Sequence, residues 1–246
     1  MNFLDFKDIA ERDMELINPI SAEKVIEIGR LAGLAPGKQV IDFGCGYGEA
    51  LTLWAELFGI GGVGIDIRQR AVQRAREKIA GRGLEKRLEI FEGNGADYQY
   101  APLSYHLAAC IGASFVWGDY LQALQALKGA ILPEGRIVIG EPYWLKDNIP
   151  PEFAQSYLMI HSEVKLLEIT HQCGLDVAYV LRASPQDWDR YEAGNWLGLL
   201  RWIDENPEHA ERQQVIDHLH ESQEEYFRYG REYFGWAMYL LHPVKY

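Results

Sequence analysis

An α/β domain built on a mostly parallel sheet is predicted by two features of the chain. Short apolar, strand-like runs alternate with longer stretches of helical periodicity, the order that lays helices against a parallel sheet. The first of those strands runs into Val40-Ile41-Asp42-Phe43-Gly44-Cys45-Gly46-Tyr47-Gly48, where three glycines at alternate positions join strand to helix. Glycine tolerates positive φ and has no Cβ, so such a turn is tight and its backbone can lie against a ligand. Turns of this kind stand at the carboxyl ends of strands, where open α/β sheets bind ligands. The 246 residues suffice for a sizeable core and fit one decorated domain over 1–246.

The elements follow in order. A helix is expected over 21–34, where Ser21 is a good N-cap, Lys24 stands where a capping box would carry Glu or Gln, and Gly33 lies near the end. Pro36-Gly37 turns the chain into a strand over 39–43, and the glycine turn leads to a helix over 49–58. A second strand, 62–66, ends in Asp66, where an acid can accept hydrogen bonds from both hydroxyls of a ribose. In the helix over 69–80, Ala71, Val72, Ala75 and Ile79 form the apolar stripe, and Arg68, Arg70, Arg74, Arg76 and Lys78 read as a solvated face. A strand over 88–91 leads to Glu92-Gly93-Asn94-Gly95-Ala96-Asp97. The fourth strand, 106–111, is followed by Gly112 and Ala113, which leave room, and by Phe115 and Trp117, which either wall a pocket or pack in the core. A helix over 121–127, the turn Leu132-Pro133-Glu134-Gly135-Arg136 and an apolar strand over 137–139 precede Gly140-Glu141-Pro142-Tyr143-Trp144. Two more strands are expected over 176–181 and 236–241. Outside a ligand-binding core at 20–141, the segments 142–173 and 183–233 are expected to form a mostly helical cap, rich in aromatic residues, over the carboxyl edge of the sheet.

Composition narrows the functional classes. A formal charge of -12 disfavours long-range attraction to nucleic acid or anionic membrane. The three cysteines, Cys45, Cys110 and Cys173, form no C-x-x-C and suggest neither a disulfide framework nor a zinc site. No dense His/Asp cluster suggests a metal. The first residues lack the pattern of a signal peptide and no apolar run reaches the length of a membrane span, so a cytoplasmic protein is expected.

The glycine spacing G-x-G-x-G, with Asp42 two residues ahead of it, resembles motif I of class I S-adenosylmethionine (SAM) methyltransferases rather than the G-x-G-x-x-G of dinucleotide folds. The resemblance covers 20–182 and extends to nearly the full length through Asn18-Pro19, 113–118, 140–144 and Asp187-Trp188-Asp189-Arg190-Tyr191. Within that superfamily the chain is most similar to bacterial small-molecule methyltransferase-like proteins. The resemblance implies a Rossmann-like, seven-stranded, mostly parallel sheet with its last strand antiparallel, flanking helices and a helical cap. It implies SAM as cofactor, S-adenosylhomocysteine (SAH) as product and a small-molecule methyl acceptor. Asp42 would hold the amino group, with Gly44, Cys45, Gly46 and Gly48 along the methionine portion, and Asp66 with Ile67 would stand at the ribose. Asn94, Gly95 and Ala96 would stand at the adenine, and Ile111 and Gly112 would face the methyl donor. Asn94 replaces the acid of the common G-D-A, although its carbonyl oxygen can still accept a hydrogen bond; Asp97 is a second candidate. The Asn/Asp-Pro-Pro-Tyr of DNA amino methyltransferases is absent, which argues against base methylation.

The implied reaction is in-line displacement, achieved mainly by proximity and alignment. Glu141 or Tyr143 can take a proton from the acceptor, and Glu141 reads equally as a cap of the turn before Pro142. Tyr47, Trp117 and Tyr143 are candidate aromatic neighbours of the sulfonium. Two alternatives stay open. One is a non-catalytic SAM-binding sensor or partner module. The other is an NAD-linked oxidoreductase, since Asp66 would suit either ribose.

Overall fold

The computed structural model describes residues 1–244. Its first half comprises α1 (Phe3–Ala10), α2 (Ala22–Leu31), β1 (Gln39–Phe43), α3 (Glu49–Phe58), β2 (Gly61–Asp66), α4 (Gln69–Gly81), β3 (Leu88–Glu92), β4 (Tyr105–Ile111) and α5 (Tyr120–Ala130). The second half comprises β5 (Ile131–Trp144), α6 (Pro151–Ser156), β6 (His161–Ser162), α7 (Glu163–Gln172), β7 (Leu175–Arg182), α8 (Pro185–Glu205), α9 (Arg212–Glu225), α10 (Arg231–Tyr233) and β8 (Phe234–Pro243).

The strands lie in the order β3-β2-β1-β4-β5-β8-β7. Pairing is parallel from β3 to β5, and β8 runs antiparallel between β5 and β7. Seven strands, mostly parallel with the last antiparallel, were expected; the sheet has an eighth because two residues, β6, pair in parallel with the end of β5. Helices cover both faces, so β1 is buried from Val40 to Phe43 and reads as a near-continuous apolar run. One face packs Val25 and Ile28 of α2, Leu51 and Trp54 of α3 and Val72 of α4. The other packs Leu124 and Leu127 of α5 with Leu166 and Ile169 of α7.

Three differences from the sequence reading have local causes. The strand expected over 137–139 is far longer, because its pairing with β4 resumes beyond an irregularity that absorbs the Leu132–Gly135 turn and its partner β8 continues to Phe234. The expected cap segment 142–173 ends early: α7 flanks the sheet through Leu166 and Ile169 instead of standing over its edge. The short helix α1, outside the expected elements, joins the cap, where Ile9 and Ala10 pack with Leu199, Ile203, Val215 and Leu219 of α8 and α9. Gly198 permits that crossing, since a Cβ there would strike the Ala10 carbonyl oxygen. Ser184 starts α8 with a capping box closed by Asp187.

Candidate active site

The glycine turn leaves β1 at the centre of the sheet. Gly44, Gly46 and Gly48 have φ of 70°, 54° and 67°, the left-handed region that side chains with a Cβ avoid. The turn is tied to the adjacent strand: Gly44 N and Cys45 N donate to Ile65 O at 2.8 and 3.0 Å, and Gly46 N donates to Asp66 Oδ2 at 2.8 Å. Cys45 turns its sulfur toward Gly64 of β2, and burial pushes its thiol pKa well up, so it backs the turn as a small apolar side chain. Asp42 lies under the turn, 2% exposed. Its Oδ1 has no hydrogen-bond partner among the described residues. Burial, and secondarily the charge of Asp66, push the Asp42 carboxyl up to about 7. A buried carboxylate oxygen with no donor is matched by a cationic ammonium group.

Asp66 closes β2, buried, with Oδ1 accepting from Arg68 N at 2.9 Å. Each of its oxygens keeps a lone pair for a further donor. Beside it Ile67 is 58% exposed, an apolar surface at the same strand end. Asn94 Oδ1 accepts from Ala96 N at 3.0 Å, which caps the single turn Gly95–Asp97; Asp97 lies exposed on that turn.

The N-terminal strap 11–20 crosses above these groups, an arrangement that the sequence reading missed. Asn18 Nδ2 donates to Ile111 O at 3.0 Å, its Oδ1 lies against Gly112, and Ile17 lies against Gly46. Cations of α4 and its N-cap hold the strap. Arg68 pairs with Glu11 at 2.7 Å, Arg74 donates to Arg12 O and Met14 O at 2.6 Å each, and Lys78 bridges Glu15 and Glu49 at 2.5 Å. The expected solvated face is thereby corrected. The Arg68 and Lys78 side chains are only 10% and 9% exposed and Arg74 is half-buried, whereas Arg70 and Arg76 remain exposed, Arg76 while donating to Ile90 O. Tyr47 is likewise claimed, with the Arg74 guanidinium 4.1 Å from its ring centroid.

A cavity of about 280 Å³ opens above the ends of β4 and β5, with Gly112, Tyr120, Glu141, Trp188 and Trp236 in its wall. A smaller space of about 30 Å³ beside Asp42, Gly44, Cys45 and Ile111 shares Asn18 with it. Glu141 is 7% exposed and its Oε1 has no partner among the described residues. Burial pushes its carboxyl up to about 8, against the opposing effect of a hydrogen bond from Ser114. The Trp188 indole Nε1 is a second buried polar atom with no partner among the described residues. Of the two aromatics after β4, for which wall and core were both open, Phe115 is on the cavity wall. Trp117 packs edge-on against Phe43 at 5.0 Å and lies outside the cavity wall.

Tyr143 requires a correction. It is buried in the core cluster with Leu166 and Tyr239, and its ring covers Gly235 on the paired strand. The structure does not bring it to the cavity that Glu141 enters. Sequence reasoning also assigned no role to Asn18 or Trp188, whose only signal was their place in the shared segments.

A doubly wound sheet with a glycine turn after β1, an acid closing β2 and a cavity over β4 and β5 defines an α/β enzyme that binds a nucleoside-bearing cofactor across its carboxyl edge. The family description "Methyltransferase domain" matches residues 40–135. The uncharacterized protein YjhP of Escherichia coli is 32% identical over 241 residues, which cover 95% of this chain and 96% of that protein. A SAM-dependent methyltransferase from Geobacter sulfurreducens, solved with SAH, superposes with a TM-score of 0.91 at 33% identity over 98% of each chain. One from Thiobacillus denitrificans, also solved with SAH, gives a TM-score of 0.92 at 31% identity over 99% of this chain and 100% of the other. The chain belongs to the SAM-dependent methyltransferase family. Its cofactor is SAM, and the NAD-linked and binding-only readings are set aside. No helix among the described residues is long and apolar enough to cross a membrane.

Proposed function

We propose that the enzyme moves a methyl group from SAM to a small molecule held in the cavity above β4 and β5, with Glu141 taking the acceptor's proton. One observation carries this reading: Glu141, a buried carboxylate with one oxygen that lacks a donor, forms part of the wall of a cavity that shares Asn18 with the space beside Asp42. In this reading Asp42 receives the cofactor's ammonium, and Gly44, Cys45, Gly46 and Gly48 line its methionine portion. Asp66 and Ile67 take the ribose and its flank, Asn94, Gly95 and Ala96 the adenine, and Ile111 and Gly112 border the methyl. The unpartnered Asp42 and the exposed Ile67 are what such a ligand would satisfy and cover.

Bound SAM supplies a methyl already activated by its sulfonium. Alignment of the acceptor against that methyl is worth on the order of 7–11 kcal/mol, and a positioned base adds about 10²–10⁴-fold. The cavity is close to the smallest ligand pockets, which supports a small acceptor over a polymer. The formal charge of -12 supports the same choice against nucleic acid. The free thiols of Cys45, Cys110 and Cys173 support a reducing, cytoplasmic setting.

The test is transfer of labelled methyl from SAM into the small-molecule fraction of a cell extract. Wild-type enzyme is expected to label that fraction. Glu141→Gln is expected to lose about 10²-fold or more in turnover while binding SAH as before. Label in protein or nucleic acid, or full turnover by the variant, would overturn the proposal.

A further inference from the structure

The formally charged side chains around the cavity are acidic, and His161 is the titratable base in its wall. The lining includes the carboxylates of Glu141 and Asp119 and contains neither Lys nor Arg. Asp119 caps α5 by accepting from Gln122 N at 2.8 Å, which leaves Glu141 as the carboxylate with an unmet oxygen. Lys7, on the cap side, donates to the Tyr191 hydroxyl at 3.0 Å and is paired with Glu11 at 3.3 Å, and it does not line the cavity. Five aromatic side chains, Phe115, Tyr120, Trp188, Tyr191 and Trp236, share the wall with His161 and with small and aliphatic residues. Trp188 is backed by Phe234, stacked at 15°.

A buried carboxylate that lacks a counter-charge is costly until a cation reaches it. Aromatic faces attract a cation through their quadrupole and offer nothing comparable to an anion. The acidic molecule as a whole also concentrates cations. An acceptor carrying phosphate or carboxylate would meet Glu141 with like charge and find no Lys or Arg in the wall.

We infer that the methyl acceptor is a small amine, bound as its ammonium form by Glu141 within the aromatic wall; this rests on the reading of the cavity as the acceptor site.

The step balances. The ammonium gives one proton to the Glu141 carboxylate, whose affinity for a proton burial has raised to about 8. The freed nitrogen lone pair forms a bond to the methyl carbon as the carbon–sulfur bond breaks, and that bond's electron pair stays on sulfur. The product is a methylated ammonium beside a neutral thioether. The proton on Glu141 passes to water when the product leaves.

The inference is tested on the full chain saturated with SAH, by ligand-observed NMR titration with three molecules of similar shape: benzylamine, benzyl alcohol and benzoate. Benzylamine is expected to bind about tenfold or more tighter than benzyl alcohol, with benzoate the weakest. Glu141→Gln is expected to bring benzylamine to within about threefold of the alcohol, and Glu141→Asp to retain the preference for the amine. SAH titration of each sample reports that the cofactor site is intact. Equal or tighter binding of the alcohol or benzoate would overturn the inference. So would a saturated SAH site with no benzylamine signal, or an undiminished preference in Glu141→Gln. If wild-type chain fails to bind SAH, the site reading itself is overturned and the inference goes with it.

Discussion

Asp42 carries two opposing consequences of one environment. Its folded pKa of about 7 stands above the ordinary value of 3.8, so the folded chain holds an extra proton between those values. Its contribution to the stability of the unliganded chain is therefore favourable below that window and is lost as pH rises through it. Asp42→Asn is expected to raise the thermal midpoint of the unliganded protein at pH 8 and to leave it nearly unchanged at pH 4. The same variant is expected to weaken SAH binding by about 2 kcal/mol or more, roughly 30-fold, because the ligand ammonium loses its charge partner. Calorimetry and thermal unfolding on the two proteins check both signs; unchanged affinity would remove Asp42 from the ammonium site. At this scale the sequence was informative where function imposes a spacing. The glycine turn, Asp42 and Asp66 follow one another along short local segments. Tyr143 was not legible, because its ring is placed by Gly235, which reaches it only through the pairing of β5 with β8.

The strap and α4 illustrate the same limit for elements. The apolar stripe of α4 was read correctly, since Ala71, Val72, Ala75 and Ile79 are all buried. Its cations were read as solvated because a helix considered alone has water on its polar face. Here the polar face meets the strap, and Arg74 supplies two strong hydrogen bonds to strap carbonyls. Arg74→Ala is expected to loosen the cover that Ile17 and Asn18 provide over Gly46 and Gly112, and to speed SAH dissociation about tenfold, or about 1.4 kcal/mol. Stopped-flow displacement checks this, with a dissociation rate equal to that of wild type as the contrary result. The helix α1 was hidden for a related reason. It buries few residues of its own, and its hydrophobic partners belong to α8 and α9, far along the chain.

On the scale of the molecule, alternating strands and helices pointed to a mostly parallel sheet and the family resemblance to seven strands with the last antiparallel, and the departures concentrate where segments distant in sequence meet. The β6 strand, the long β5 and the sheet-flanking α7 all depend on partners that local patterning does not name. The proposed site has the same division. The glycine turn, Asp42 and Asp66 lie on the contiguous β1–α3 and β2–α4 units, whereas the cavity wall is assembled from the strap, β4, β5, α8 and β8. Ligand binding to the folded state alone must stabilise the whole. SAH at about 100 times its Kd is expected to add about 2.7 kcal/mol, seen as a thermal midpoint higher by several degrees, while NAD leaves the midpoint unchanged. A shift with NAD and none with SAH would contradict the cofactor assignment.

The most direct measurement is a crystal structure of the chain with SAH. The expected result has the ligand ammonium at Asp42 and its sulfur at the Asn18–Gly112 wall, facing the cavity that Glu141 enters. A sulfur atom shut off from that cavity, or an ammonium bound away from Asp42, would contradict the joined cofactor and acceptor sites.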